Sequence, residues 1–176
     1  MREDLGPGRR DGHVLSHLPA DVLMVLREFR TAEMATLDRA GRPVTWPVLP
    51  FLRLDQGIFQ VTTPIGLPDK ALRVRRRPQV SMLFSDPTGS GLERPPAVLV
   101  QGDATSPDIV QAGIEGFRED LQLAYQRQPK ARLYGADPLS RRLVGWYFLR
   151  LVIDVVPLVV RWWPEGDFGR RPEMVG

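Results

Sequence analysis

Short apolar runs, rich in β-branched and aromatic residues and separated by turn residues, follow one another along most of this chain. Such runs are typical of β-strands. Three prolines in one of them, between residues 43 and 54, exclude a helix there and indicate an edge strand or a bulged rim. The pattern predicts strands over Met34–Leu37, Pro43–Leu54, Ile58–Thr63, Val80–Ser85, Ala97–Ala104, Trp146–Val155 and Leu158–Trp163.

Helical spacing occurs in fewer places. In the helix predicted over Pro19–Arg30, Val22, Leu26 and Phe29 fall on one face. In the helix predicted over Lys70–Arg77, Asp69 is a plausible cap and Pro78 stops the helix. Helices are predicted over Pro19–Arg30, Lys70–Arg77 and Pro107–Gln128, with a further short one from Asp137. Because strand follows strand through turns such as Asp38–Gly41, we expect an antiparallel sheet or barrel with peripheral helices.

The length of 176 residues is that of one domain. The polar ends, 1–13 and 165–176, are expected to be flexible tails. The N-terminal dozen residues lack the apolar stretch of a signal peptide, and Asp154 and Pro157 interrupt the most apolar run. We therefore expect a cytoplasmic protein that does not enter a membrane.

Cysteine is absent, which excludes disulfides, thiolate metal sites and cysteine nucleophiles. The two histidines, His13 and His17, are four residues apart but lie beside a polar tail without a third ligand. They are expected to lie at the surface, and no metal site is predicted.

The formal net charge is only +3, although the chain contains 22 arginines and two lysines, Lys70 and Lys130. Four arginines (Arg73, Arg75, Arg76 and Arg77) follow Lys70 closely. Three interpretations remain open: a solvated helix face, an anion site at a helix start, or a nucleic-acid-binding patch. The small net charge makes nucleic acid the least favoured partner.

Five segments, in order, resemble the flavin-binding split β-barrel of the pyridoxamine 5′-phosphate oxidase-like superfamily. They include the opening hairpin with its Gly-x-Pro turn, and a hallmark lysine followed by a short helix, a proline and a strand. The segments are Met34–Val48, Ile58–Thr63, Lys70–Phe84, Val98–Ala104 and, more weakly, Val152–Gly166. This resemblance implies a mainly β, Greek-key-like split barrel with flanking helices, and a homodimer that holds each cofactor between two subunits.

The resemblance also implies FMN as the cofactor, with a related deazaflavin coenzyme as the alternative. The oxidase itself has an arginine at the position of Trp46, a basic residue at that of Phe51, and a Ser-Arg pair where this chain has Pro68 and Asp69. True pyridoxamine phosphate oxidation is therefore not expected. The implied cofactor-binding residues are Trp46, Pro47 and Val48 along the ring, Thr62 and Thr63 at the phosphate or ribityl chain, and Lys70 on the phosphate.

By this resemblance the chain is predicted to be an oxidoreductase that acts on a small organic substrate of unknown identity. The alternative is a non-catalytic flavin carrier or sensor of the same fold. No general acid or base stands out in the sequence. Hydride chemistry is compatible with this, because the cofactor supplies the reactivity while the protein positions it and excludes water.

Overall fold

The structure of the protein is a computed structural model, and it describes residues 13–112 and 149–176. Within these ranges the helices are α1 (His13–Ser16), α2 (Ala20–Glu28) and α3 (Asp69–Arg76). The strands are β1 (Ala32–Leu37), β2 (Pro43–Val48), β3 (Pro50–Arg53), β4 (Ile58–Pro64), β5 (Gln79–Phe84), β6 (Ala97–Thr105), β7 (Gln111–Ala112), β8 (Leu149–Trp163) and β9 (Glu173–Val175). None of the helices in these two ranges has the length and apolar character needed to span a membrane.

The nine described strands form one curled sheet in which every pairing is antiparallel. Its order is β2-β1-β5-β6-β8-β4-β3, and β7 and β9 also pair with β8. The long strand β8 lies between β6 and β4, so it joins the two halves of the sheet. This architecture confirms the predicted antiparallel split barrel with peripheral helices.

The proline-rich run between residues 43 and 54 was predicted as one strand, but it forms two. The extended run is interrupted at Leu49, and the resulting strands β2 and β3 lie at opposite ends of the strand order. The predicted edge position is confirmed for both. A proline has no backbone N–H to donate to a neighbouring strand. At the edge of a sheet this missing donor costs no hydrogen bond.

The core lies on one face of the sheet and is closed by α2. Alternate residues of β1 are buried, and in the centre the rings of Phe59 and Phe84 lie 5.9 Å apart. Val22, Leu26 and Phe29 are buried in this core, as their spacing predicts, and Val25 joins them. The apolar stripe therefore buries one face of the helix while the other faces solvent.

Strand β8 continues through Pro157, where two separate strands were predicted. The register with β6 shifts there, since Gln101 lies opposite Val159 and Gly102 opposite Pro157. The shift leaves one residue of β8 unpaired, as in a β-bulge. Pro157 lies between the parts of β8 that pair with β4 and with β9, so within the described sheet only β6 is opposite it.

The predicted helix from Pro107 does not begin there. Gln111–Ala112 form β7, paired with Arg150 and Leu149 of β8, and the remainder of that helix lies outside the described residues, as does the one predicted from Asp137. Arg75 explains why no helix begins at Pro107, because its guanidinium donates to Ser106 O, Pro107 O and Asp108 Oδ1. These tertiary contacts outweigh the helical propensity of the segment.

The expectation of a flexible tail over 165–176 does not hold for Glu173–Val175, which form β9. This strand pairs with residues 160–162 of β8, beyond the point where β4 ends. An open strand edge is a template for any nearby extended segment. Phe168 belongs to the segment that connects β8 to β9, and its ring lies 5.2 Å from that of Trp163.

We expect Gly102→Ala to destabilise the fold, because an added Cβ would lie 2.0 Å from the carbonyl oxygen of Val156. Overpacking against backbone should lower the free energy of unfolding by about 1–3 kcal/mol. Gly169→Ala is the matched control, since its Cβ would meet only the flexible side chain of Asp167. Urea unfolding of both variants measures the difference, and equal midpoints would contradict the bulge geometry.

Candidate functional site

The loop between β4 and α3 holds the start of α3 in place. Thr63 Oγ1 donates a 2.7 Å hydrogen bond to Leu67 O, and the Ile65 amide donates to Leu149 O of β8. Pro68 occupies the position before the helix, and Asp69 is its first residue. The prediction that Asp69 caps the helix is therefore wrong: it lies one position too late to accept from the free amide groups of the first turn.

Lys70 and Trp46 come together at this site. The Lys70 ammonium lies 5.8 Å from the centroid of the Trp46 ring. Trp46 is on the edge strand β2, opposite buried Met34, yet 54% of it is exposed. A cation over an indole face is attracted by the ring quadrupole. The contact brings α3 and β2 together around a half-buried lysine.

The surroundings of Lys70 are positively charged. Burial lowers its pKa below the ordinary lysine value, the positive charges of Arg73 and Arg150 lower it further, and Asp69 acts in the opposite direction. Arg150 lies on β8 opposite Pro64, next to the loop that leads into α3. A lysine whose pKa is lowered by neighbouring cations lies where a bound anion would be stabilised.

The side chain of Arg73 is largely buried, with 11% of it exposed. Its Nε donates to Thr36 Oγ1 at 2.9 Å, and Nη1 lies 3.9 Å from Asp69 Oδ2. Among the described residues nothing accepts a hydrogen bond from its buried Nη2. A buried guanidinium donor without an acceptor is costly, so this atom fits a ligand oxygen. The residues at this site thus fit an anionic group such as a phosphate.

The remaining arginines of the cluster do not share this environment. Arg75 binds the 106–108 segment, and Arg77 Nη2 donates to Arg39 O at 3.4 Å. Arg76 is exposed on the surface of α3. Of the interpretations left open by the sequence, the anion site fits Lys70 and Arg73, whereas Arg75 and Arg77 connect parts of the fold.

The six predicted site residues do not all converge. Val48 is buried beside Ala32, on the same side of β2 as Trp46, and Pro47 is exposed on the other side. Thr63 is fully buried, and its hydroxyl hydrogen is used by Leu67. Thr62, opposite Val152, lies on the face of β4 away from the core. The structure therefore brings Lys70 and Trp46 into contact and makes Thr63 a support of the loop.

Arg150 was not singled out in the sequence, and Arg73 was noted only as part of a charge run. The available signal for Arg150 was its position in the predicted strand Trp146–Val155, where it and Asp154 are the charged residues. A charge inside an apolar strand marks a place where that strand leaves the core. Only the pairing of β8 with β4 shows which site this place adjoins.

No family model and no curated protein matches this chain. Among solved structures it is similar to a protein of Clostridium acetobutylicum described as related to general stress protein 26, of the pyridoxinephosphate oxidase family. The TM-score is 0.53 at 8% identity, over 89% of this chain and 96% of the other. General stress protein 26 of Bacillus anthracis gives a TM-score of 0.53 at 14% identity, over 88% and 95% of the two chains.

A heme binding protein of Mycobacterium smegmatis is also similar, with a TM-score of 0.52 at 17% identity. The match covers 90% of this chain and 58% of that protein. At these identities the likeness is one of fold. It shows that the curled sheet has the same fold as these proteins.

We expect Lys70 to titrate below the ordinary lysine value of about 10.4. In Lys130→Arg protein labelled by reductive methylation with carbon-13, Lys70 supplies the sole lysine signal. Its NMR signal should titrate at a lower pH in native protein than in urea, because burial and two arginines disfavour its charge. Lys70 then loses its proton at a lower pH in the native state than in the unfolded state. The destabilisation of the native state by charged Lys70 therefore falls as the pH rises through the native pKa. Equal native and unfolded values would contradict this environment.

We expect Arg75→Ala to lower the free energy of unfolding by roughly 1.5–3 kcal/mol, because it removes charge-assisted hydrogen bonds to the 106–108 segment. Arg76→Ala removes the same charge from an exposed position of the same helix and should change it by less than about 0.5 kcal/mol. Chemical denaturation compares the two. If the losses are the same, Arg75 does not support the fold as described.

Proposed function

We propose that this protein binds FMN, or the related deazaflavin coenzyme, at the Lys70 site, and that it acts as an oxidoreductase on a small organic substrate. The observation that carries the proposal is the group of three cations, Lys70, Arg73 and Arg150, beside the exposed face of Trp46. The group combines positive charge with an aromatic wall, and a flavin cofactor with its phosphate has the matching parts.

The phosphate of such a cofactor is assigned to Lys70 and Arg73. The free Nη2 of Arg73 supplies one donor, and the Lys70 ammonium supplies the second. Asp69 would repel a phosphate, but its carboxylate lies 3.9 Å from Arg73 and 81% of its side chain is exposed. Solvent and the neighbouring guanidinium both reduce that repulsion. A phosphate would in turn offset the repulsion between the cations and raise the pKa of Lys70.

The ring of the cofactor is assigned to the side of β2 that Trp46 occupies. As an edge strand, β2 has alternate backbone N–H and C=O groups that no neighbouring strand of the described sheet pairs. These groups can hydrogen-bond the polar edge of a planar ring, and Trp46 offers apolar contact to its face. Pro47 has no N–H to donate, so the donors of this strand lie at its other residues.

When bound, the flavin supplies hydride transfer. The role of this chain is then to hold the cofactor by its anionic end, to orient the ring against β2 and to limit the access of water. Lys70 and Arg73 bind, Trp46 orients, and Thr63 keeps the loop before α3 in its conformation through Leu67. The substrate would approach the face of the ring that the protein leaves open.

A second copy of the chain is proposed to complete the site. On the face of β3, β4 and β8 away from the core, Phe51 and Val152 form a second apolar cluster with Leu49. Beside it, Arg53 Nε donates to Gln60 and Gln60 donates to Asp154, each at 2.9 Å. Apolar residues on both faces of a sheet are typical of a sheet covered on both sides. Thr62, which the resemblance places at the phosphate or ribityl chain, also lies on this face.

A non-catalytic flavin carrier or sensor is the second candidate. Pro68 and Asp69 motivate it, because they replace the Ser-Arg pair of the oxidase that the chain resembles. Turnover distinguishes the two functions. A carrier binds the cofactor tightly without oxidising or reducing any acceptor in a panel, whereas the enzyme consumes reduced cofactor.

The test is cofactor binding followed by fluorescence and by the absorbance spectrum of protein from a host that makes both cofactors. We expect Lys70→Ala to weaken FMN binding about 10- to 100-fold, because a charge-assisted contact to the phosphate is lost. Arg76→Ala is the matched control, since it removes one positive charge from an exposed position of α3. Riboflavin, which lacks the phosphate, should bind the wild type and Lys70→Ala with similar affinity.

Protein that stays colourless and binds neither FMN nor the deazaflavin in titrations rejects the proposal. Haemin serves as a comparison, because one structural neighbour is described as a heme binding protein. A preference for haemin over both flavins also rejects it. Unchanged FMN affinity in Lys70→Ala would remove Lys70 from the site while leaving flavin binding itself intact.

A further inference from the structure

A cavity of about 480 Å³ lies at the opposite end of β8 from the Lys70 site. Arg150 is the second residue of β8, whereas Pro164 of the cavity directly follows its last residue, Trp163. A strand of this length extends for up to roughly 45 Å. The cavity is therefore separate from the proposed cofactor site, and its volume is within the range of small-molecule sites, about 300–1,000 Å³.

Half of the ten residues that line the cavity are apolar. They come from α2, from the loop between β5 and β6 and from the turn after β8: Met24, Leu92, Pro95, Pro96 and Pro164. Proline has almost no side-chain freedom to lose, so these walls exist before a ligand arrives. Met24 is half exposed and its flexible thioether can adapt to different shapes. The cavity offers a preformed apolar surface with one adaptable side.

The charged residues around these walls are mainly acidic. Asp21, Glu93 and Glu165 face one arginine, Arg94, which gives the lining a formal charge of minus two in a protein whose net charge is +3. Within residues 13–112 and 149–176, none of the three carboxylates takes part in a salt bridge. All three side chains are exposed, and Asp21 Oδ1 accepts a hydrogen bond from the Val22 amide. Three carboxylates outside any salt bridge beside one cavity, in a chain rich in arginine, favour a positively charged ligand.

The backbone of this lining is also unusual. Arg94 and Glu165, with φ of 42° and 56°, are the non-glycine residues of the described ranges that adopt positive φ, and both line the cavity. This conformation is costly for residues with a Cβ, and the surrounding structure has to maintain it. The carboxylate of Glu165 is thus carried by a constrained turn.

We propose that this cavity binds a small organic cation with an apolar body, such as an arylalkylamine. The apolar body lies against Met24 and the prolines, and the ammonium group lies among the carboxylates of Asp21, Glu93 and Glu165. A neutral molecule of the same shape keeps the apolar contacts and loses the charge attraction. An anion of the same shape is repelled. This site is independent of the proposed flavin function.

The experiment compares three probes of nearly equal shape: phenylbutylamine, phenylbutanol and phenylbutyrate. Binding is followed by NMR of carbon-13 methyl groups of methionine, with Met24→Leu identifying the Met24 signal and the buried Met34 and Met82 as internal references. We expect the amine to shift Met24 and to bind about tenfold more tightly than the alcohol, since charge-assisted contacts are the stronger ones. Phenylbutyrate should not shift the Met24 signal, and added salt should weaken the binding of phenylbutylamine.

The double variant Glu93→Gln, Glu165→Gln should bind the amine several-fold more weakly, and its FMN affinity should stay that of the wild type. Asp55→Asn, which removes one exposed carboxylate from the turn between β3 and β4, should leave amine binding unchanged. Equal binding of all three probes, an amine that leaves Met24 unshifted, or full affinity in the double variant would overturn the proposal. Each outcome is independent of whether the protein binds a flavin.

Discussion

The pairing of β8 on both of its edges is the constraint on which the rest of this structure depends. One edge is bound by β6 along most of the strand, and the other is bound by β4 in its first part and by β9 near its end. Because the hydrogen bonds of a strand fix its register on each side, both ends of β8 are held in place. One end places Arg150 beside α3, and the other places Pro164 at the cavity.

At the first end of β8, like charges lie close together. Lys70, Arg73 and Arg150 repel one another, and burial of Lys70 adds a desolvation cost. Such a cost persists where the surrounding fold maintains the arrangement, and groups with shifted pKa values are concentrated at functional sites. The free donor of Arg73 and the exposed side chain of Trp46 are the features on which the proposed flavin site rests.

The alternation of faces along β4 explains why the predicted site residues separate. Thr62 and Thr63 are adjacent in sequence, and adjacent residues of a strand point to opposite faces. Phe59 and Val61 occupy the core face, so Thr63 follows them inwards and Thr62 lies outside. The resemblance to the flavin-binding family predicted both as ligands. The geometry gives Thr63 a part in supporting the loop, and it leaves Thr62 on the face where a second subunit is proposed.

The sequence by itself determined the positions of β1, β4, β5 and β6, the turns, the edge positions of the proline-rich run and the buried face of α2, because all of these depend on residues close together in the chain. Period and turn chemistry are local properties, and they survive folding. Only the tertiary structure decided the break at Leu49, the addition of β9, and the division of the arginine cluster between fold and site. A local pattern records which face of a strand is apolar, but it does not record which strand lies beside it. The partners of Arg73 and Arg150 therefore depended on pairings between distant parts of the chain.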